Sequence, residues 1–420
     1  MRALGLLTVL SLLIGAAPAP DVEMIVPEGE AQKHWPRWRG PSGQGHVTGT
    51  GYPDRWSNAE NVLWRVPVPG SGNSSPIVWR NQIILATSYE GGRKKSLIAF
   101  SRTDGKKLWE AFAPDGPPEH AHTKNGHASG TPSTDGTRIY AYLGNHGLFT
   151  VDMTGKPVWH QPLGPFDAYH GSAGSPLLYK DRVILYQDQR APGASFVAAF
   201  DAATGRQLWR TPRQETVGWG TPIAIRAGSR VEIIVSSMNR VYAYDPRNGQ
   251  ELWSAAGNLF EVIPTPVVGE GFVFATSGRA GPTLAIRPGG SGDVTQSHVA
   301  WRAIKGSPFV TSPLVYDGVL YMVNDMTSVA TAYDAKSGAV LWQGRLGDAA
   351  RESFSPSPVV VDGKVFFTND LGETFVVAAG REFKLLHVNH LGARTLASPA
   401  LVDGTWYFRT ASDLIAIGRK

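Results

Sequence analysis

The sequence predicts an all-β fold: an eight-bladed β-propeller of four-stranded antiparallel blades, its ring closed by a strand from near the N-terminus. Three observations carry this. A unit of small residue plus Pro, apolar strand, turn, second strand, apolar-Asp-x-x-x-Gly turn and Trp recurs along the chain. Two markers inside that unit keep step with each other. The two ends of the repeat region are incomplete in complementary ways.

The clearest copy runs Gly174-Ser175-Pro176-Leu177-Leu178, then Arg182 to Tyr186, Phe196 to Asp201, Thr204-Gly205 and Leu208-Trp209. A second runs Thr311-Ser312-Pro313, Val319 to Val323, Ala332-Tyr333-Asp334, Ser337-Gly338 and Leu341-Trp342. The repeat prolines are Pro76, Pro132, Pro176, Pro222, Pro266, Pro313, Pro358 and Pro399, at spacings of 56, 44, 46, 44, 47, 45 and 41. The tryptophans Trp64, Trp109, Trp159, Trp209, Trp253, Trp301 and Trp342 follow the same period, which is that of a four-stranded propeller blade.

Each unit has the chemistry of a β-meander. Arg138-Ile139-Tyr140-Ala141-Tyr142 mixes β-branched and aromatic residues, as a strand with one buried face requires. Asp201-Ala-Ala-Thr-Gly205 and Asp245-Pro-Arg-Asn-Gly249 are turns: Asp accepts from nearby amides and Gly takes positive φ. Pro after Ser or Thr suits the first position of a strand, where a missing amide donor matters least. The repeat Trp reads as structural, its wide face packed between blades.

The eighth unit has Ser398-Pro399, Thr405 to Arg409 and Leu414 to Ile417, but no last strand and no Trp. Asn61-Val62-Leu63-Trp64-Arg65-Val66 is a fourth strand without a preceding unit. Pairing the two closes a ring from about Asn61 to Ile417 and removes its open edge. Blade seven carries Leu386 where Trp is expected, and blade five a longer insertion, Arg287 to His298. The expected organisation is a signal peptide over 1–19, a Trp-rich extension over 20–60 and the propeller over 61–420.

The leader reading rests on Met1-Arg2, the apolar run Ala3 to Ile14 and the small residues Gly15 to Ala19. No later stretch approaches the ~18 apolar residues of a membrane span, so an exported chain with no transmembrane segment is expected, in the bacterial periplasm or outside the cell. The 420 residues contain no Cys, which excludes disulfides, thiolate metal sites, a Cys nucleophile and lipid attachment through Cys. A formal charge of +5 with no basic block gives no reason to expect a nucleic-acid partner. HExxH, G-x-S-x-G, P-loop and nicotinamide fingerprints are missing.

Ala199-Phe200-Asp201-Ala-Ala-Thr-Gly205-x-x-Leu208-Trp209 and its copies resemble the pyrroloquinoline-quinone-like β-propeller repeat family. That family includes quinoprotein alcohol dehydrogenases and the outer-membrane assembly factor BamB. The resemblance covers most of the chain and specifies fold rather than activity. Trp35-Pro36-Arg37-Trp38-Arg39-Gly40-Pro41 resembles the N-terminal motif of a BamB-like subgroup. It is expected to pack as a surface extension, with a cap over one end of the propeller channel as the alternative. The resemblance to quinoproteins implies pyrroloquinoline quinone on a channel Trp, with Ca²⁺ and an Asp base. The sequence departs from that pattern in lacking a vicinal Cys pair, in length and in any matching Glu/Asn/Asp calcium set.

In such a blade the A–B and C–D turns lie on one face, and the B–C loops and D–A connections on the other. The irregular polar residues fall on the second face, where function concentrates. Ligand candidates there are Lys124, Asn125, His127, His146, His170, Asp188, Arg190, Trp219, Asn239, Arg279, Asp325 and Asp370. His120, His122 and His127 offer imidazoles for a divalent metal, although loop histidines are more often solvated. The favoured reading is a monomeric, non-catalytic scaffold that binds a protein, peptide or glycan. The alternative is a quinone- and Ca²⁺-dependent oxidoreductase, with a hydrolase on the histidine-rich face third.

Overall fold

The computed structural model describes residues 21–278, 281–304, 306–348 and 353–419. The expected leader and Arg279 lie outside them. Among the described residues the strands form eight sheets, each built on a four-stranded antiparallel meander and arranged as the blades of a propeller. The last blade is completed from the N-terminal side: Val62–Pro67 pairs with Asp413–Ile417, with Trp64 opposite Ala416 and Val66 opposite Leu414.

The repeat Trp and the Asp-x-x-x-Gly turn form one interlock between adjacent blades. In blade three Asp201 Oδ1 accepts from the Thr204 N–H at 2.8 Å and the Thr204 hydroxyl at 2.7 Å, while Gly205 takes φ +74°. The Trp159 ring of blade two covers that glycine and donates Nε1–H to the Ala202 carbonyl at 3.0 Å. The arrangement recurs as Trp64 on Arg102, Trp209 on Pro246 and Trp301 on Ala335. Trp253 differs because blade five has no such turn: it is fully buried and donates to Glu232 Oε2 at 2.8 Å. The blade-five insertion supplies Gly292–Asp293, which adds in parallel to the outer strand of blade four, and the short helix Thr295–His298. Leu386 takes the Trp position of blade seven and packs on the core.

The N-terminal extension corrects the expectation of a surface attachment: it closes the channel from the A–B/C–D face. Val22–Met24 pairs antiparallel with Ala227–Ile225, on the inner strand of blade four. Trp35 exchanges backbone hydrogen bonds with Val78 of blade one, and the Pro36 carbonyl accepts from the Thr134 amide of blade two. Gln44 Oε1 accepts from the Val268 amide at 2.6 Å, His46 Nε2 meets the Val315 carbonyl, and Val47 N–H donates to Val360. The physical reason lies in the inner strands. Each has one edge facing the axis, whose amides and carbonyls need partners where water is excluded. The plug supplies them. Arg39 is 1% exposed, donates to the Pro358 carbonyl, and burial lowers its pKa to about 9.

Above the plug lies a ring of hydroxyls. The residue before each repeat Pro donates its N–H to the hydroxyl oxygen of the equivalent residue in the next blade. The circuit runs Ser75, Thr131, Ser175, Thr221, Thr265, Ser312, Ser357, Ser398 and back to Ser75, at 2.8–3.2 Å. A short side chain carrying one hydroxyl is the group that reaches this position. Thr265→Val keeps the shape but strands the Thr221 amide, and should cost about 1–3 kcal/mol. Thr265→Ser should be close to neutral. Urea denaturation of the two variants tests this, and equal midpoints would sink the hydrogen-bond account.

Candidate functional site

The plug leaves a blind cavity of about 290 Å³ on the propeller axis, opening on the B–C/D–A face. Trp38 forms its floor and the eight ring hydroxyls its lower wall; Trp219, Phe309, His122, His170, Lys124 and Asn125 stand nearer the mouth. A wider hollow of about 770 Å³ lies outside it, lined by Glu119, His120, Tyr169, Gln189 and Arg190 among others, and shares His122 and His170 with the cavity.

The mouth is organised by the connections between blades one and two, two and three, three and four, and four and five. Asn125 sets the first two against each other: its Nδ2 donates to the His170 carbonyl at 2.9 Å and its carbonyl accepts from Asn73. His170 stacks on Trp219, with ring centroids 5.6 Å apart and planes at 24°, and its Nε2 lies 3.3 Å from Glu261 Oε1. Trp219 is fixed by an Nε1–H bond to the Gly171 carbonyl at 2.8 Å. Lys124 reaches away from its own connection to Ser353 Oγ at 2.8 Å and Asp370 Oδ2 at 3.1 Å, so one ammonium ties blades one and two to blade seven.

Of the residues singled out from sequence, Lys124, Asn125, His170 and Trp219 therefore meet at one cavity, with His122. Asp370 stands behind Lys124, and buried Asp325 accepts from the Phe309 and Val310 amides. Burial raises the Asp325 pKa, against those amide bonds and the Lys124 charge. Arg190 is on the outer hollow, half-exposed, and holds Asp167. Asn239 donates to Glu215 on blade four.

Two further candidates, Asp188 and His146, are buried outside the cavity, and a third, His127, is partly buried. Asp188 is buried against Arg213. His146 is 1% exposed, with Nε2 at 3.1 Å from the Arg93 carbonyl, and burial lowers its pKa. His127 packs against Gly92, where a Cβ would sit 2.5 Å from its ring. His120 and His122 are exposed, and among the described residues no group of three His, Asp or Glu side chains is placed to hold a metal ion.

What the sequence reading missed is the hydroxyl ring, the Trp38 floor and the buried pair Lys95–Glu119, whose lysine also donates to the Leu143 carbonyl at 2.9 Å. The signal for the ring was available: every repeat Pro is preceded by Ser or Thr. Nothing local marks Lys95 or Glu119 as buried.

The donor set does not fit pyrroloquinoline quinone. That cofactor is a flat tricarboxylate, and would need several cations on the wall. Lys124, the one Lys or Arg on the wall among the described residues, is committed to Asp370.

Similarities to known proteins agree with the architecture. The family model described as outer membrane protein assembly factor BamB matches residues 39–125, 93–295 and 239–382. A tetrathionate hydrolase of Acidithiobacillus ferrooxidans is 21% identical over 322 residues, covering 76% of this chain and 54% of that protein. The BamB of Burkholderia pseudomallei is 27% identical over 230 residues, 53% of each. The matches thus span about half the length of these curated relatives. Among solved structures, BamB from Moraxella catarrhalis has a TM-score of 0.60 at 13% identity, covering 85% of this chain and 99% of that one. The quinohemoprotein alcohol dehydrogenase of Comamonas testosteroni reaches 0.67 at 12%, covering 93% and 81%. Those structural likenesses are likenesses of fold. The family model takes in most of the chain, and the chain belongs to the PQQ-like repeat family described as outer membrane protein assembly factor BamB.

Proposed function

We propose that this chain is an exported, non-catalytic scaffold that holds a protein partner on its loop-rich face during outer-membrane protein assembly. The observation that supports the reading is the apolar surface around the cavity mouth. Tyr169, Leu259, Phe260, Ile304, Met326 and Leu371 all lie on B–C loops or D–A connections and are 40–77% exposed. Tyr169 meets Phe260 edge-on at 6.0 Å and carries Arg190 over its face at 5.8 Å, so an aromatic and cationic cluster stands ready-made. Scattered exposed apolar residues need no explanation, but an exposed aromatic pair in contact, such as Tyr169 with Phe260, favours a contact surface. Tyr and Arg are the residue types that anchor protein interfaces. The names of the matched BamB relatives supply the assembly context. Export rests on the leader-like residues 1–19.

The test is binding of the mature chain to purified outer-membrane assembly components by surface plasmon resonance. Tyr169→Ser with Phe260→Ser should weaken a specific complex at least about tenfold through a loss of two anchors. Undiminished binding would move the interface elsewhere, and no binding to any component would sink the scaffold reading. Titration with pyrroloquinoline quinone and Ca²⁺ discriminates the oxidoreductase alternative. Saturable uptake with a raised melting temperature would favour it.

A further inference from the structure

We propose that the blind axial cavity is a binding site for one neutral sugar ring, either a free monosaccharide or the terminal residue of a glycan. This does not rest on the scaffold reading, which concerns the rim outside the cavity.

Four features of the wall converge on that ligand class. The first is hydroxyl chemistry. Each of the eight ring hydroxyls accepts one amide N–H, at 2.8 Å for Thr265 and 3.0 Å for Ser357, for example. A hydroxyl so used keeps one O–H donor and one acceptor lone pair. All eight line the cavity, so the wall both donates and accepts, as the hydroxyls of a sugar do. Ser355 Oγ, also on the wall, is buried and has no hydrogen-bond partner among the described residues. A polar atom in that state favours a ligand that pairs with it.

The second feature is charge. Among the described residues the lining contains no carboxylate, and its one ammonium, on Lys124, is neutralised by Asp370 at 3.1 Å. An anion would have to compete with Asp370 for Lys124, and a cation would find no counter-charge on the wall. A neutral solute meets neither obstacle.

The third is apolar surface. Trp38 across the floor, with Trp219 and Phe309 on the walls, offers flat hydrophobic area to the C–H faces of a pyranose, while Ile263 and Leu396 fill the space between. The fourth is size. A volume of about 290 Å³ holds one ring and not an extended chain, and the single mouth lets a glycan enter only by its end.

The experiment is saturation-transfer NMR on the intact mature chain with D-glucose and N-acetyl-D-glucosamine, then with cellobiose and chitobiose, and with acetate and malonate as charged controls. Saturable transfer is expected to at least one neutral monosaccharide, with a dissociation constant on the order of 1 mM. Transfer confined to the non-reducing ring of a disaccharide would identify the glycan end as the ligand; transfer to the monosaccharide alone would identify the free sugar. Ala173→Phe fills the cavity without removing a side-chain hydrogen bond, and should weaken the interaction at least about tenfold with an unchanged melting temperature. Leu396→Trp is the second filling variant, should the first fail to fold. The proposal is overturned if no neutral probe binds the wild-type chain at roughly 20 mM. It is equally overturned if binding survives a folded cavity-filling variant, or if the carboxylates bind and the sugars do not.

Discussion

Asp188→Ala is expected to destabilise the propeller by about 3–5 kcal/mol, because it leaves a guanidinium buried without its counter-charge. Arg213 and Asp188 have side chains 1% and 0% exposed, with Nε donating to Oδ1 at 2.9 Å. The Arg213 guanidinium is otherwise held by Tyr244 and Ser237 hydroxyl oxygens, both at 2.5 Å, and lies 4.7 Å from the Tyr242 ring centroid. Burial works to lower the Arg213 pKa, but the Asp188 carboxylate outweighs it and the guanidinium is raised above its ordinary value. Denaturant unfolding should show the loss as a shift of midpoint at constant slope. Adding Arg213→Met should recover part of the stability, since replacing both partners of a buried pair by apolar groups is often close to neutral. A single-variant loss below about 1 kcal/mol would mean that water reaches the arginine and that this is an ordinary surface pair.

The second large effect is at a blade interlock. Gly249 has φ +73°, and a Cβ there would stand 2.4 Å from Trp209 Cε3 and 2.6 Å from Thr211 Oγ1. Gly249→Ala therefore combines left-handed strain of about 1–2 kcal/mol with overpacking of about 1–3 kcal/mol, a total of roughly 2–5 kcal/mol. Gly193→Ala is the control: φ is +69°, but the site is open. It should show the strain alone, roughly 1–2 kcal/mol. Equal losses at both positions would remove the Trp ring from the explanation and leave backbone conformation as the whole effect.

These positions mark how far the sequence could be read. Gly249 was legible as a turn glycine from Asp245-x-x-x-Gly249, and Trp209 as a packing residue from its period. That the two touch across a blade boundary is a tertiary fact. Asp188 was placed on the ligand face because it follows the second strand of blade three in a polar run, Gln187-Asp188-Gln189-Arg190. Within that run Asp188 turns inward to Arg213 while Arg190 stays half-exposed on Asp167. Nothing in the local composition separates the two, because the partner that decides burial is 25 residues away for one and 23 for the other.

Blade number, blade order and the closing strand were determined by the sequence alone, because each rests on short-range regularities. Alternating apolar residues make strands, Asp and Gly make turns, and a Pro after Ser or Thr starts each unit. Repetition makes those local signals additive, and the unmatched strand at Val62 to Val66 leaves one way to close the ring. The functional cavity had no such signature. Its floor comes from Trp38, on a plug whose Arg39 donates to the Pro358 carbonyl, and the mouth is braced by Lys124 on Asp370. Those contacts join segments more than two hundred residues apart. Only the tertiary structure decided them, because inner-strand edges need hydrogen-bond partners from wherever the chain can bring them, and closing the ring brings eight ordinary hydroxyls round one axis.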